Sequence, residues 1–347
     1  WYNVQDMPIE HTEKITTIEQ LKEVARYCRN DVKSTKAIMN LCKKEITLRN
    51  KLSKEYNLNL FNASEPKISK EIFLKFLSKE TGISSYDIRQ LRTQHTHIKI
   101  HDVLLPYYNF KTKVFQDLLT TFDNLVIYPE QTKGGFEKTI NYKGVTIKFA
   151  QGGIHGCKSG IYESNDDMMI VTSDVKSYYP NLIIRNGWAP AHLPADKFNT
   201  LYEWFYNERI KISKKDIRNY TYKIILNSVY GLSNDKNSYL FDTKLTMAVT
   251  INGQLSLMLL GETIAEQIPG AIPLMYNTDG FETIIPRKYY NEYIKLCKEW
   301  EELTQLELEH DEYQKLVIPD VNNYCAVFKD KEITRDEWLN LQRTNPE

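Results

Sequence analysis

Residues 223–231 read Lys223-Ile224-Ile225-Leu226-Asn227-Ser228-Val229-Tyr230-Gly231. The segment sits in a stretch, Ile217 to Tyr230, whose apolar residues recur at helical spacing. On a helix, positions i, i+4 and i+7 share one face, so Lys223, Asn227 and Tyr230 line up as a cation, an amide and a flat ring. Taken alone, such a face is ordinarily the solvated side of an amphipathic core helix. A second helix, Leu201 to Lys215, precedes it with almost no loop. Across residues 208–223, Arg209, Lys211, Lys214, Lys215, Arg218 and Lys223 stand against Glu208 and Asp216, a local net charge of +4 in a chain whose overall net charge is zero. A run of this kind is usually just a charged helix surface.

Outward from this helix, two aspartates stand out. Met168 to Ser173 reads as a short buried strand that ends at Asp174. Ile272 to Ile285 reads as a hairpin with Thr278-Asp279-Gly280 at its tip. Each aspartate is unremarkable by itself, because strand ends and Asp-Gly tips are common turn chemistry. Residues 17–46 read as one helix with Thr17, Glu19 and Gln20 at its start. A Lys-rich helix runs on to about Tyr56, and another covers 62–79. Residues 138–150 read as a hairpin around Lys143-Gly144, and Gly152-Gly153-Ile154-His155-Gly156 as a tight loop. Thr243 to Ile268 is a long apolar helix, and a further helix is expected at 288–306. His95, His97 and His101 alternate with other residues in what reads as a surface strand rather than a metal site. Met168 and Met169 read as core.

Three motifs in order carry a family resemblance. Asp174-Val175-Lys176-Ser177-Tyr178-Tyr179-Pro180 resembles the first polymerase motif of family B DNA polymerases, Asp-x-x-Ser-Leu-Tyr-Pro. Lys223 to Gly231 matches the second, Lys-x-x-x-Asn-Ser-x-Tyr-Gly, at every fixed position. Tyr276-Asn277-Thr278-Asp279 resembles the third, Tyr-x-Asp-Thr-Asp. The resemblance covers about residues 150–330 and is of the phage type. It implies an α+β fold, with a palm built on an antiparallel sheet, short helical fingers and a helical N-terminal exonuclease remnant.

For function it implies DNA-templated DNA synthesis from dNTPs on primer-template DNA. Two divalent ions about 4 Å apart can activate a primer hydroxyl and stabilise the leaving pyrophosphate. Asp174 and Asp279 would ligate two Mg2+ ions, with Mn2+ able to substitute, and the Val175 carbonyl would add an oxygen. Lys223 joins the two aspartates as a catalytic residue. Ser177, Tyr179, Arg209, Lys223, Asn227 and Tyr230 would bind the nucleotide, Tyr179 lying under the sugar to exclude a 2′-hydroxyl. Gly152, Gly153, Tyr276, Thr278 and Tyr324 would contact DNA. In this context the basic run at 208–223 reads as a triphosphate clamp, with Arg209 as its second cation.

The sequence departs from the family pattern in several places. Asn277 stands where an aspartate is usual; it still accepts a hydrogen bond but adds no charge. Glu282, on the same hairpin, either adds charge or is a solvated strand residue. Asp320-Val321-Asn322-Asn323-Tyr324 resembles a late Lys-x-Tyr element without its lysine. Tyr27-Cys28-Arg29-Asn30-Asp31 resembles the last exonuclease motif, Tyr-x-x-x-Asp, but the earlier acidic motifs are missing from residues 1–26. Only 48 residues separate Asp174 from Lys223, and 23 follow Tyr324, which leaves room for minimal fingers and no full thumb. The chain opens on Trp1 and reads as a fragment or processed product.

The expected organisation is therefore an exonuclease remnant at 1–60, a connecting region with a hairpin at 61–150, palm at 151–200, fingers at 201–232, palm again at 233–290, and the palm end with the start of a thumb at 291–347. The composition, 41% hydrophobic and 26% charged, is that of a globular protein. The five cysteines form no zinc spacing and suit a reducing compartment; the expected location is the cytoplasm of a bacterial host of a phage. No membrane partner is expected. A rival reading is a non-catalytic nucleic-acid-binding remnant, a subunit that needs a separate exonuclease, thumb or processivity polypeptide. A reverse transcriptase fits less well, because its third motif normally has adjacent aspartates.

Overall fold

The computed structural model describes residues 6–7, 9–128 and 136–329. The first residues of the 1–60 segment, residues 129–135 of the connecting region, and the expected thumb start from residue 330 onward lie outside the described residues. The chain divides into two compact units, Trp1–Ile72 and Phe73–Glu347.

The first unit is helical. α1 (Ile18–Leu41) opens on a capping box in which the Thr17 side chain accepts from the Gln20 backbone and the Gln20 side chain accepts from the Thr17 backbone. The single helix expected over 17–46 is instead interrupted at Cys42, where φ and ψ are −85° and 15°, and α2 (Lys43–Tyr56) begins there. No glycine or proline marks that break in the sequence. α2 ends on Asn57 in the left-handed region, which lets the following turn return its N–H groups to the Ser53 carbonyl. α3 (Glu65–Thr81) crosses from the first unit into the second.

The second unit is α+β. In chain order it contains α4 (Ser85–Ile88), β1 (Ile98–Lys99), α5 (Lys113–Asp123), β2 (Val126–Ile127), β3 (Glu137–Tyr142), β4 (Val145–Ala150), β5 (Gly153–Cys157), β6 (Gly160–Glu163) and β7 (Met168–Val175). There follow α6 (Tyr178–Asn186), α7 (Ala195–Lys211), α8 (Ile217–Leu232), α9 (Thr243–Gln267), β8 (Ile272–Asn277), β9 (Gly280–Pro286), α10 (Tyr290–Thr304), β10 (Leu308–Ile318) and β11 (Cys325–Phe328). β1 pairs β2 alone. Among the described residues the main sheet runs β11-β10-β7-β9-β8-β5-β4-β3, with β6 paired to the far half of β10. Every pairing in it is antiparallel.

Three expectations are corrected here. The Gly152–Gly156 segment is not a tight loop: from Gly153 it is strand β5, paired to β4 and β8. Its glycine serves close approach rather than turning, since a Cβ on Gly156 would lie 2.7 Å from the Thr146 carbonyl oxygen. The histidines do not share a surface strand. β1 spans two residues, His95 pairs with Asp242 at 2.7 Å and His101 with Asp123 at 2.7 Å. β7 runs to Val175, one residue past the strand end expected at Asp174, and so carries Asp174 between two neighbouring strands.

Alternation along the strands separates two faces. One face packs on helices. Tyr276 is wholly buried there, stacked on Phe281 at 4.9 Å, and a Cβ on Gly261 of α9 would come within 2.5 Å of its hydroxyl. Ser173 bonds Tyr293 of α10 and, at 2.7 Å, His310 Nδ1. α9 is buried along nearly its whole length, and the Trp300 indole N–H ties α10 to it through the Ser256 carbonyl at 2.8 Å. α7 and α8 form an antiparallel pair anchored by an aromatic cluster that includes Phe73, Phe198, Tyr202, Phe205 and Tyr222. Five residues, not almost none, join them. Asn219 crosses that joint to the carbonyls of Arg209 and Ile212, both at 3.0 Å.

Candidate active site

The other face of the sheet collects the acids. One lateral row across five strands reads His155, Asn277, Gly280, Asp174, Glu309. The next row reads Cys157, Met275, Glu282, Thr172, Asp311. Asp279 sits beside the first row in the two-residue loop between β8 and β9. The tip is clamped: Val175 N–H donates to the Asp279 carbonyl at 2.8 Å and Thr278 N–H to the Ile154 carbonyl at 3.0 Å. Thr278 has φ 56°, a costly conformation for a β-branched residue that persists only where the surroundings impose it.

These carboxylates repel one another. Burial, then the charge of Asp279, pushes Asp174 up to about 6, although the residue as a whole keeps an exposed surface. Asp279, also exposed at the tip, is raised by partial desolvation. Glu282, 4% exposed, is pushed up to about 8 by burial first and then by Asp174; it is no solvated strand residue. No lysine or arginine is among the groups that set these values. The Thr172 hydroxyl lies between Asp174 Oδ2 at 3.2 Å and Glu282 Oε1 at 3.4 Å, while Glu282 Oε2 is buried without a partner. Among the described residues no three His, Cys, Asp or Glu side chains converge as a ready-made metal cage. Mg2+ characteristically takes one or two protein carboxylates and fills its remaining positions with phosphate oxygens and water. Crowded carboxylates lacking a protein cation are a donor set that fits such an ion.

Beside the acids opens a cleft of about 420 Å³ lined by Ser177, Tyr178, Tyr179, Pro180, Arg209, Lys223, Asn227, Thr278 and Asp279. α8 presents Lys223 and Asn227 to it from an exposed face, with Tyr230 half-buried beside them. The Tyr230 ring stands 4.6 Å from that of Tyr179, whose hydroxyl donates to the Gly152 carbonyl at 3.2 Å. A Cβ on Gly153 would lie 3.2 Å from that hydroxyl. Ser177, at φ 45°, starts α6, and its hydroxyl accepts from Arg209 Nη1 at 3.3 Å. Neither Arg209 nor Lys223 makes a salt bridge among the described residues, and burial lowers the Arg209 pKa.

Of the six cations in the basic run, Arg209 and Lys223 alone line this cleft. Lys211 pairs with Glu208 and Arg218 with Asp216 at the far end of the helix pair. The clamp expected from the whole run therefore reduces to two side chains.

Among the residues expected to touch DNA, Gly152, Gly153 and Thr278 adjoin the cleft. Tyr324 is 44% exposed and within the field of the acids: burial, then Glu282, Asp174 and Asp279 raise its pKa. Tyr276 is the exception. It points to the helical face, fully buried, and belongs to the packing under α9. In the first unit Tyr27 and Asp31 stand on adjacent turns of α1, and the charge of Asp31 raises the Tyr27 pKa.

Sequence reasoning did not find His155, whose Nδ1 donates to Asn277 Oδ1 at 3.1 Å, nor Glu309 and Asp311, because the acidic strand β10 was not recognised. Apolar residues recur at 306, 308, 313, 316 and 318, and a search for broken alternation would have been the available signal.

No protein-family profile and no curated protein matches the chain. Among solved structures the chain is similar to the family B DNA polymerase from the hyperthermophilic archaeon Pyrobaculum calidifontis, at 14% sequence identity and a TM-score of 0.45, over 91% of this chain and 38% of that one. The chain thus spans less than two thirds of the length of that polymerase.

Proposed function

We propose that the chain is the catalytic part of a template-directed DNA polymerase of the family B, phage type, extending a primer from dNTPs. The observation that carries this reading is the juxtaposition of Asp174 and Asp279 with a cleft that holds Arg209, Lys223 and Asn227. In this reading the second unit's sheet is the palm, α7 and α8 are short fingers, and the first unit belongs to the C-terminal part of an exonuclease domain.

Asp174, Asp279 and the Val175 carbonyl would hold two Mg2+ ions, or Mn2+ in their place. When bound, such ions neutralise charge on the reacting α-phosphate and on the leaving pyrophosphate. The chain's own groups do the remainder. Lys223 and Arg209 meet the triphosphate oxygens with two cations that have no carboxylate partner of their own, so ligand binding breaks no ion pair. Tyr230 offers a ring face to the incoming base pair. Tyr179 is held by Gly152 and Tyr230 so that its ring closes the space a 2′-hydroxyl would need. Gly152, Gly153, Thr278 and Tyr324 border the path of the primer-template.

Primer extension on DNA and RNA templates, with and without Mg2+, tests the reading. Extension of a DNA primer on a DNA template with dNTPs, abolished by chelation, is the expected result. DNA binding without any extension would instead favour a non-catalytic subunit.

A further inference from the structure

Glu282 is a buried carboxylate that neither the three motifs nor the two-aspartate reading uses. It is 4% exposed, its Oε2 has no hydrogen-bond partner, and its Oε1 receives only a long bond, 3.4 Å, from the Thr172 hydroxyl. A carboxylate in that state is costly unless something with positive charge lies against it. No lysine or arginine does so among the described residues. The basic side chain next to Asp174 in the chain, Lys176, is held at 3.3 Å by Glu307 and 3.8 Å by Glu309.

The register supplies a place for the missing charge. Gly280 faces Asp174 across the β7–β9 ladder and shares its face with Glu282 two residues on. The position a Cβ would occupy on Gly280 lies 2.5 Å from Asp174 Oδ1 and 3.7 Å from Glu282 Oε1. The missing side chain thus lets carboxylates from two residues come together over Gly280, and the Thr172 hydroxyl links Asp174 Oδ2 to Glu282 Oε1. Two carboxylates drawn together without a protein cation are the donor set of a hard divalent cation, with water completing the shell.

We propose that Glu282 is a further cation-holding residue of this site: together with Asp174 it binds one divalent ion above Gly280 before any nucleotide arrives. The hairpin then supplies its second acid from position 282, where Asn277 leaves it without one. The proposal rests on the polymerase reading for Asp174 but concerns binding in the protein alone, so the two can fail separately.

Mn2+ is the probe. Loss of the free-ion electron paramagnetic resonance signal is titrated with the whole chain, without nucleotide or DNA, and thermal melts are recorded for each variant. Wild type is expected to bind one Mn2+. Glu282→Gln keeps the shape and should weaken that binding at least tenfold without lowering the melting temperature, because Oε2 has no partner to lose. Glu282→Asp, which keeps the carboxylate but draws it back by one methylene, should weaken it at least threefold, and decides the matter if Glu282→Gln does not fold. Wild-type affinity in both variants would overturn the proposal, as would absence of Mn2+ binding in the wild type. If Asp174→Asn and Asp279→Asn lose Mn2+ while those two variants keep it, the assignment to Glu282 fails and the two aspartates stand. If none of the four loses it, the metal assignment of the whole site fails.

Discussion

At the residue scale the site is legible where a motif fixes both chemistry and spacing. Asp174, Tyr179, Lys223 and Asp279 could be picked out because each sits in a pattern of several fixed residues, and all four lie at or beside one cleft. Tyr276 was misread because four residues, Tyr276 to Asp279, were set against a five-place motif: with Asp279 in the last place Tyr276 falls one step past the motif's tyrosine and so on the other face of the strand. One step along β8 separates Asn277 on the open face from Tyr276 beneath α9. The distinction is testable. The Tyr276 hydroxyl is buried without a partner, so Tyr276→Phe should leave extension unchanged and hold or raise stability, by up to ~1 kcal/mol; a loss of activity at constant stability would return Tyr276 to the DNA path. Tyr179, by contrast, should act on substrate choice. Tyr179→Val should raise ribonucleotide incorporation with modest loss for dNTPs. An unchanged ribo/deoxy selectivity ratio would make it a packing residue of the Tyr178–Tyr179–Tyr230 stack.

At the element scale, helices and hairpins with strong local signals were found within a few residues. These include the Thr17 start of α1 and the Lys143-Gly144 turn, whereas α7 begins six residues before the expected Leu201 and ends four before Lys215. What escaped was set by non-local pairing. β5 is a strand because β4 and β8 flank it, and its glycines suggested a loop only in isolation. β10 carries alternating acids that look solvated until they are seen laid against β7. The same limit applies to charge: six cations along 208–223 looked like one clamp, but only Arg209 and Lys223 reach the cleft, Lys211 and Arg218 take local partners, and Lys214 and Lys215 lie in the joint between the helices. α8 therefore acts through one face. Lys223→Ala should lower kcat/KM for dNTPs by roughly 10²–10³, the scale of one lost transition-state charge contact at about 3–4 kcal/mol. Lys211→Ala should change it less than threefold, since exposed ion pairs contribute under about 1 kcal/mol. Equal effects of the two would mean that the basic run acts as a diffuse field.

At the scale of the whole molecule, the second unit sets a helical layer against one face of its sheet and leaves the acids on the other. Among the described residues no helix is long and apolar enough to cross a membrane. That layer also contributes a pH response away from the site. His192 donates from Nε2 to the Tyr239 carbonyl at 2.8 Å and accepts from the Thr93 hydroxyl at 2.7 Å, and burial lowers its pKa. Above about pH 6.5 it is neutral folded and unfolded and has no effect. As pH falls below that value the unfolded chain takes up the proton first, so stability declines. The raised acids Asp174 and Glu282 work in the opposite direction, so the histidine contribution is read from a difference. Between pH 7 and 5 the melting temperature of His192→Gln should change more favourably than that of wild type; parallel curves would remove His192 from the acid response. The central claim is that this sheet face performs nucleotidyl transfer through Asp174 and Asp279, and the most direct measurement is Mg2+-dependent primer extension by wild type beside Asp174→Asn and Asp279→Asn at matched DNA binding. The account predicts extension by wild type and a loss of at least a thousandfold in each variant with binding retained; near-normal turnover in either variant, or no extension by wild type on any primer-template, would contradict it.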